Sequence, residues 1–118
     1  MTTILPKSCY ADLKLVLEIP GPWQVTRACQ DTATGLQEVH LECPPDTRWI
    51  AGEDDPTELP VDHYEIRRWR HQQPGFTIIL RAQVPWLRHA DGHVAPISIP
   101  WDNKLSRHCL IFVAEQES

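Results

Sequence analysis

The chain of 118 residues has no two cysteines at the CxxC spacing of a zinc knuckle, and its four, Cys9, Cys29, Cys43 and Cys109, are scattered. Four cysteines allow three disulfide pairings in a secreted protein. The amino-terminal Met-Thr-Thr-Ile-Leu-Pro-Lys, however, lacks a basic stretch followed by an apolar one. A cytoplasmic location with free, mostly buried thiols is therefore expected. No apolar run approaches the roughly twenty residues that span a bilayer, so no membrane partner is expected. Glycine is scarce: five, scattered, form no phosphate cradle. A nucleophile elbow and an HExxH motif are missing too. Asp62-His63 and the acids of residues 53–58 are the only pairs resembling acid/base chemistry, and His108 and Cys109, adjacent on a strand, would point to opposite faces. Enzyme activity is not expected. Net positive charge is also lacking. At −5, the chain is not a uniformly basic nucleic-acid binder.

What is present is proline, tryptophan and an uneven distribution of charge. Eleven prolines argue for short strands and turns over long helices, and five tryptophans supply core and recognition surface. Residues 1–61 carry about −6, residues 62–107 about +3, and the tail −2. This asymmetry fits a local anion-facing patch on an acidic protein. It fits equally a chain whose two halves pair through salt bridges.

Along the chain, residues 8–19 read as a short amphipathic helix, with Ser8 as N-cap and Tyr10, Leu13, Val16 and Leu17 on one face. Pro20-Gly21-Pro22 stops it. A first hairpin spans 23–43. Its outgoing strand alternates Trp23, Val25, Arg27 and Cys29 against Gln24, Thr26 and Ala28, and its return strand places Val39, Leu41 and Cys43 together. Turn chemistry at Asp31-Thr32-Ala33-Thr34-Gly35 joins them. Residues 51–60 form an exposed acidic loop. A second hairpin runs from Tyr64 to Arg70, turns at Gln73-Pro74-Gly75, and returns from Phe76 to Val84 with large residues on both faces, which predicts burial on both. Pro85, Pro96 and Pro100 confine the remaining short strands to edges, and Leu110 to Val113 make one more short strand or helical turn. The expected fold is one domain, mainly β within the α+β class: small antiparallel hairpins and one amino-terminal helix.

The order of landmarks from Leu59 to Phe112 is LPVDHYEIRRWRH, then AQVPWLR, HADGHV, IPW and SRHCLIF. It resembles the amino-terminal zinc-ribbon region of bacterial insertion-sequence transposases of the ISL-three type. Pro22-Trp23-Gln24-Val25 and the stretch from Leu41 to Arg48 also sit where that family has comparable motifs. The resemblance implies that residues 61–113 are a degenerate zinc-ribbon-like part of a DNA-binding module, with catalysis in a later domain. The family's CPxC pair is replaced here by Ala51-Gly52-Glu53-Asp54, and its CPxHG pair by His89-Ala90-Asp91-Gly92-His93. A structural zinc needs four Cys or His ligands in two close pairs. No cofactor is therefore expected; the nearest approach to a zinc site is a rebuilt set from His89, His93 and Asp54, with Glu53.

The most specific match is Arg67-Arg68-Trp69-Arg70-His71. Alternation puts Arg68 and Arg70 on one face and Arg67, Trp69 and His71 on the other. Guanidinium groups beside an aromatic ring suit phosphate contact and base stacking. With Arg81, Arg88, Lys104 and Arg107 they would make a basic surface for weak, backbone-directed contact with DNA. In the opposing reading Trp69 is core and the arginines protect a sheet edge. A second functional reading is a protein-interaction module, or an inhibitor from a mobile element. There Glu53, Asp54, Asp55 and Glu58 bind a basic nucleic-acid-handling partner by imitating phosphate charge.

Overall fold

A computed structural model of the chain describes residues 2–52, 54–102 and 112–115. Among these residues nine strands run in the order β1 (Thr2–Ile4), β2 (Gln24–Asp31), β3 (Leu36–Glu42), β4 (Ile50–Gly52), β5 (Asp55–Glu58), β6 (Val61–Gln73), β7 (Phe76–Arg88), β8 (Val94–Pro96) and β9 (Val113–Glu115). One helix, α1 (Tyr10–Val16), follows a single 3-10 turn at Lys7–Cys9. The protein is mainly β with one short helix and antiparallel hairpins, as its alternating runs and prolines predict.

The main sheet has the order β1-β2-β3-β7-β6-β9, with β8 also on β7, and β4 and β5 form a separate two-stranded sheet. The hairpins β2–β3 and β6–β7 are antiparallel, but β3 and β7 join them as a parallel pair, Leu36 beside Thr77 through Leu41 beside Ala82. Both β3 and β7 begin just after a tight turn, so the parallel register brings the two turns together. Asp31 Oδ1 accepts a hydrogen bond from the Ala33 amide in the first turn. In the second, Pro74 sets its own φ and Gly75 supplies φ +91°. Gly35 has φ +72°, and its carbonyl accepts a 3.0 Å hydrogen bond from the Thr77 amide.

The second hairpin is longer than the alternation from Tyr64 to Val84 predicts, because it continues through Pro85. That proline is buried in the middle of β7, not at an edge. Its carbonyl accepts from the Ile97 amide at 3.2 Å, so its missing N–H points to the same side of the strand. There β3 has ended at Ala82 and β8 starts only at Trp86, so no ladder bond is lost. Burial on both faces of β7 is as expected: Ile78, Leu80 and Ala82 pack into the main core, and Ile79 on the opposite face is also buried.

The helix is shorter than 8–19. Ser8 does not cap it; Cys9 holds the N-cap position and no side chain bonds there. Its end is set by the backbone before the Pro20-Gly21-Pro22 stop. The Glu18 amide donates to the Leu15 carbonyl and the Ile19 amide to the Lys14 carbonyl, with Glu18 at φ +56°. This is the paired 5→2 and 6→1 pattern of a Schellman ending. It turns Leu17 and Ile19 into the core and leaves Val16, expected on the apolar face, exposed with Leu15. The acidic stretch 51–60 is also more ordered than a loop, since β4 and β5 pair within it (Ile50 beside Glu58, Gly52 beside Asp55).

Three of the five tryptophans build the core. Trp101 stands edge-on to both Trp23 and Trp69, at ring-centre distances of 5.0 and 5.4 Å. Cys43 packs against this core, and burial pushes its thiol up to about 11. The thiolate is the reactive form. Alkylation of Cys43 by iodoacetamide at pH 8.5 is therefore expected to lag well behind the rate in urea-unfolded protein, as read by mass spectrometry of the cysteine peptides. Equal rates would contradict the burial.

Candidate nucleic-acid interface

Strand β6 alternates as its sequence predicts. Trp69 and His71 face the core, 0% and 6% exposed, beside Leu80 and Ile78 of β7. Trp69 Nε1 donates to Asp102 Oδ1 at 2.9 Å. The sequence places Trp69 among the contact residues; with no exposed surface it takes no part in a stacking platform, and its place is structural. Arg67 shares that side but lies toward the far end of the strand, where Nε donates to Glu65 Oε1 at 2.5 Å and the guanidinium stands 5.9 Å from the Trp86 ring centre. Glu65 Oε1 also accepts from Trp86 Nε1 at 3.3 Å, and His63 stacks on Trp86. Arg88, on β7, pairs with Asp62, whose other oxygen lies 2.7 Å from His63 Nδ1. Arg67 and Arg88 are thus held in a local ion-pair cluster away from the other arginines. Lys104 and Arg107 lie outside the described residues.

The hydrogen bond from His63, then that from Arg88, holds the Asp62 carboxyl below its ordinary 3.8. A carboxylate with a depressed folded value stabilises the fold above the unfolded value, and that contribution is lost as pH falls through the folded one. Arg88→Ala is expected to raise the Asp62 value back toward 3.8 in a carboxyl-detected NMR titration. An unchanged titration would contradict the pairing.

The opposite face of the sheet holds Arg68 and Arg70, and cross-strand register extends the basic strand into a row. Arg68 pairs with Arg81 of β7, Arg81 with His40 of β3, and His40 with Arg27 of β2. Four basic side chains from four strands thus lie at one level of one face. Arg27 reaches this face because β2 carries a bulge between Val25 and Arg27. Strict alternation puts Arg27 with Trp23 and Val25. The extra residue reverses the phase, so Ala28 is buried and Arg27 is exposed. Arg27 and Arg81 have no ion-pair partner among the described residues. Acids share this face: Glu38, 3.2 Å from His40 Nε2, Glu42, and Asp31 at the end of β2, while the register sets Glu115 of β9 beside Arg68.

Beside the row, the face opens into a depression of about 100 Å³ lined by Thr26, His40, Glu42, Ile66, Arg81 and Gln83. Tyr64 and Ile66 precede Arg68 on the same face of β6 and are 50% and 43% exposed. Arg27, His40, Tyr64, Ile66 and Gln83 are not among the residues predicted from sequence. An arginine in the middle of an otherwise apolar phase is the one available signal of the bulge.

The acidic arm β4–β5 lies apart from this face in the strand pairing. Asp54, Asp55 and Glu58 are exposed there, and Glu53 lies outside the described residues. Asp55 Oδ1 accepts from both the Thr57 hydroxyl and the Thr57 amide, which keeps its carboxyl below the ordinary value. Glu58 pairs with Arg48 at 3.4 Å. His89 and His93 stack at 4.1 Å across a tight turn, and Asp91 bonds His93. Asp54 does not join them: among the described residues no three His, Cys, Asp or Glu side chains are gathered as a metal would need. No helix among the described residues is long and apolar enough to cross a membrane. Comparison with protein-family models, with curated proteins and with solved structures gives no match.

Proposed function

We propose that the protein is a non-catalytic, transposase-derived nucleic-acid-binding module that contacts the phosphate backbone through the basic sheet face. The observation that carries this reading is the alignment of Arg27, His40, Arg81 and Arg68 at one register, with Arg70 beside them. Guanidinium groups spaced across neighbouring strands offer several donors to a polyanion at once, whereas a sheet edge that only resists pairing needs one charged strand. The overall −5 charge makes the contact weak and local.

Each phosphate contact releases counterions, so affinity falls with salt in proportion to the number of contacts. Three or four contacts to a single strand predict a loss of roughly twenty- to fiftyfold between 50 and 200 mM salt. Fluorescence anisotropy with a labelled 20-nucleotide DNA measures this. Arg81→Ala is expected to weaken binding and flatten the slope by about one contact. Binding that ignores salt would contradict the reading.

One observation favours a second reading, an acidic protein-interaction module. The β4–β5 arm pairs outside the main sheet and carries exposed Asp54 and Asp55 at its turn, with exposed Ile50 beside exposed Glu58. Such an arm fits a basic protein surface. Asp54→Asn with Asp55→Asn would then abolish capture of a polycationic peptide and leave DNA affinity unchanged.

A further inference from the structure

The geometry points to single-stranded nucleic acid as the ligand of the basic face, with one unpaired base seated over the depression at Arg81 and Gln83 and its neighbour stacked on Tyr64. This rests on the phosphate-contact reading and adds the strandedness of the ligand. Three features of the face carry it.

The first is width. The basic row crosses four strands, β2, β3, β7 and β6. Three inter-strand spacings of about 4.8 Å separate the outer two by about 14 Å, before side chains are added. The major groove of B-form DNA is about 12 Å wide. A face this broad meets a duplex only at its phosphates and cannot reach base edges.

The second is the depression. At about 100 Å³ this open depression is on the scale of one small planar ring. Its walls mix the groups that pair with an exposed base edge. Gln83 offers an amide donor and acceptor, Glu42 an acceptor, Arg81 a donor, and Ile66 an apolar side. Inside a duplex those base edges are already paired.

The third is the platform. Tyr64 lies two residues from Ile66 on the same strand face, about 7 Å away, and is half exposed. It is the exposed aromatic ring on the side of β6 that carries Arg68 and Arg70. An open aromatic beside a row of guanidinium groups is the pattern that holds unpaired bases by stacking while cations track the backbone.

The test compares a labelled 12-nucleotide oligo-dT with a 12-base-pair duplex by anisotropy at 50 mM salt, with oligo-rU as a further probe. The single strands are expected to bind at least about tenfold more tightly than the duplex. Tyr64→Ala is expected to cost about tenfold on the single strands, with an unchanged salt slope, unchanged duplex affinity and an unchanged melting temperature. Tyr64→Phe keeps the ring and is expected to restore binding. Equal affinity for the two forms, insensitive to Tyr64→Ala, would overturn the inference while leaving the phosphate reading in place. A loss shared by both forms and accompanied by a lowered melt would make Tyr64 structural and overturn it as well. Salt-independent binding, or none to either form, would remove the phosphate reading itself.

Discussion

Gly35→Ala is expected to lower the melting temperature by roughly ten degrees or more, the largest effect of a glycine-to-alanine change in the protein. Two costs add at this position. Its φ of +72° lies in the left-handed region, where a Cβ costs about 1–2 kcal/mol. A Cβ built there also falls 2.3 Å from the Gly75 carbonyl oxygen, which is backbone and cannot rotate away. The two hairpin turns must separate to admit it, and overpacking of this kind costs typically about 1–3 kcal/mol. The Gly35 carbonyl to Thr77 amide bond, where the parallel pairing of β3 with β7 begins, is the contact most exposed to that movement. Gly92→Ala separates the two costs. Gly92 also has positive φ, +93°, but an added Cβ meets nothing within 4 Å. It is expected to lose only the conformational part, and equal thermal shifts for the two variants would contradict the turn-on-turn contact.

Trp69→Ala is expected to remove about 3–5 kcal/mol, a large share of the roughly 5–15 kcal/mol typical of a domain. The indole is fully buried, stands edge-on to Trp101 and donates to Asp102. Its loss leaves a cavity in the aromatic cluster and an aspartate without its donor. Trp69→Phe keeps much of the volume and drops the hydrogen bond, so a smaller loss of about 1–2 kcal/mol is expected. Chemical denaturation measures both. Trp69→Phe is also expected to leave nucleic-acid affinity unchanged, because the ring faces away from the basic row. A stable Trp69→Phe protein with lost affinity would instead return Trp69 to the contact surface.

The alternation of β6 and of the return strand is legible in the sequence because a half-buried strand has a period of two. Arg68 and Arg70 fall opposite Trp69 and His71 for that reason alone. The first hairpin is legible from its turn residues. The meeting of the hairpins is not. The parallel pairing of β3 with β7 rests on contacts some forty residues apart, and it is this pairing that sets His40 beside Arg81. Arg27 escapes strict alternation through a bulge, which shifts the phase and leaves no mark in the sequence beyond an arginine in an otherwise apolar phase. The helix ends early through backbone bonds at Glu18, a residue with no special preference for positive φ. The lack of an N–H argues for Pro85 at an edge; it is tolerated inside β7 because the sheet has a gap there. The zinc-ribbon resemblance covers the basic strand, yet half of the row lies on β2 and β3, outside that motif.

The central claim is that charge on one sheet face, assembled from separate strands, binds nucleic acid. The most direct measurement is the affinity of the Arg27→Glu/Arg81→Glu double variant for the 20-nucleotide DNA at 50 mM salt. Arg48→Glu, an exposed reversal beside the acidic arm, serves as the matched single-charge control, and thermal melts confirm the folds. Both reversed residues in the double variant are exposed, so the fold is expected to persist. The account predicts a loss of about a hundredfold or more for the double variant and a change within about twofold for Arg48→Glu. The double variant changes net charge by −4 and Arg48→Glu by −2, so a loss in Arg48→Glu of about half the double variant's on a log scale would mean that only net charge matters. Undiminished binding by the double variant would place the nucleic-acid contact elsewhere.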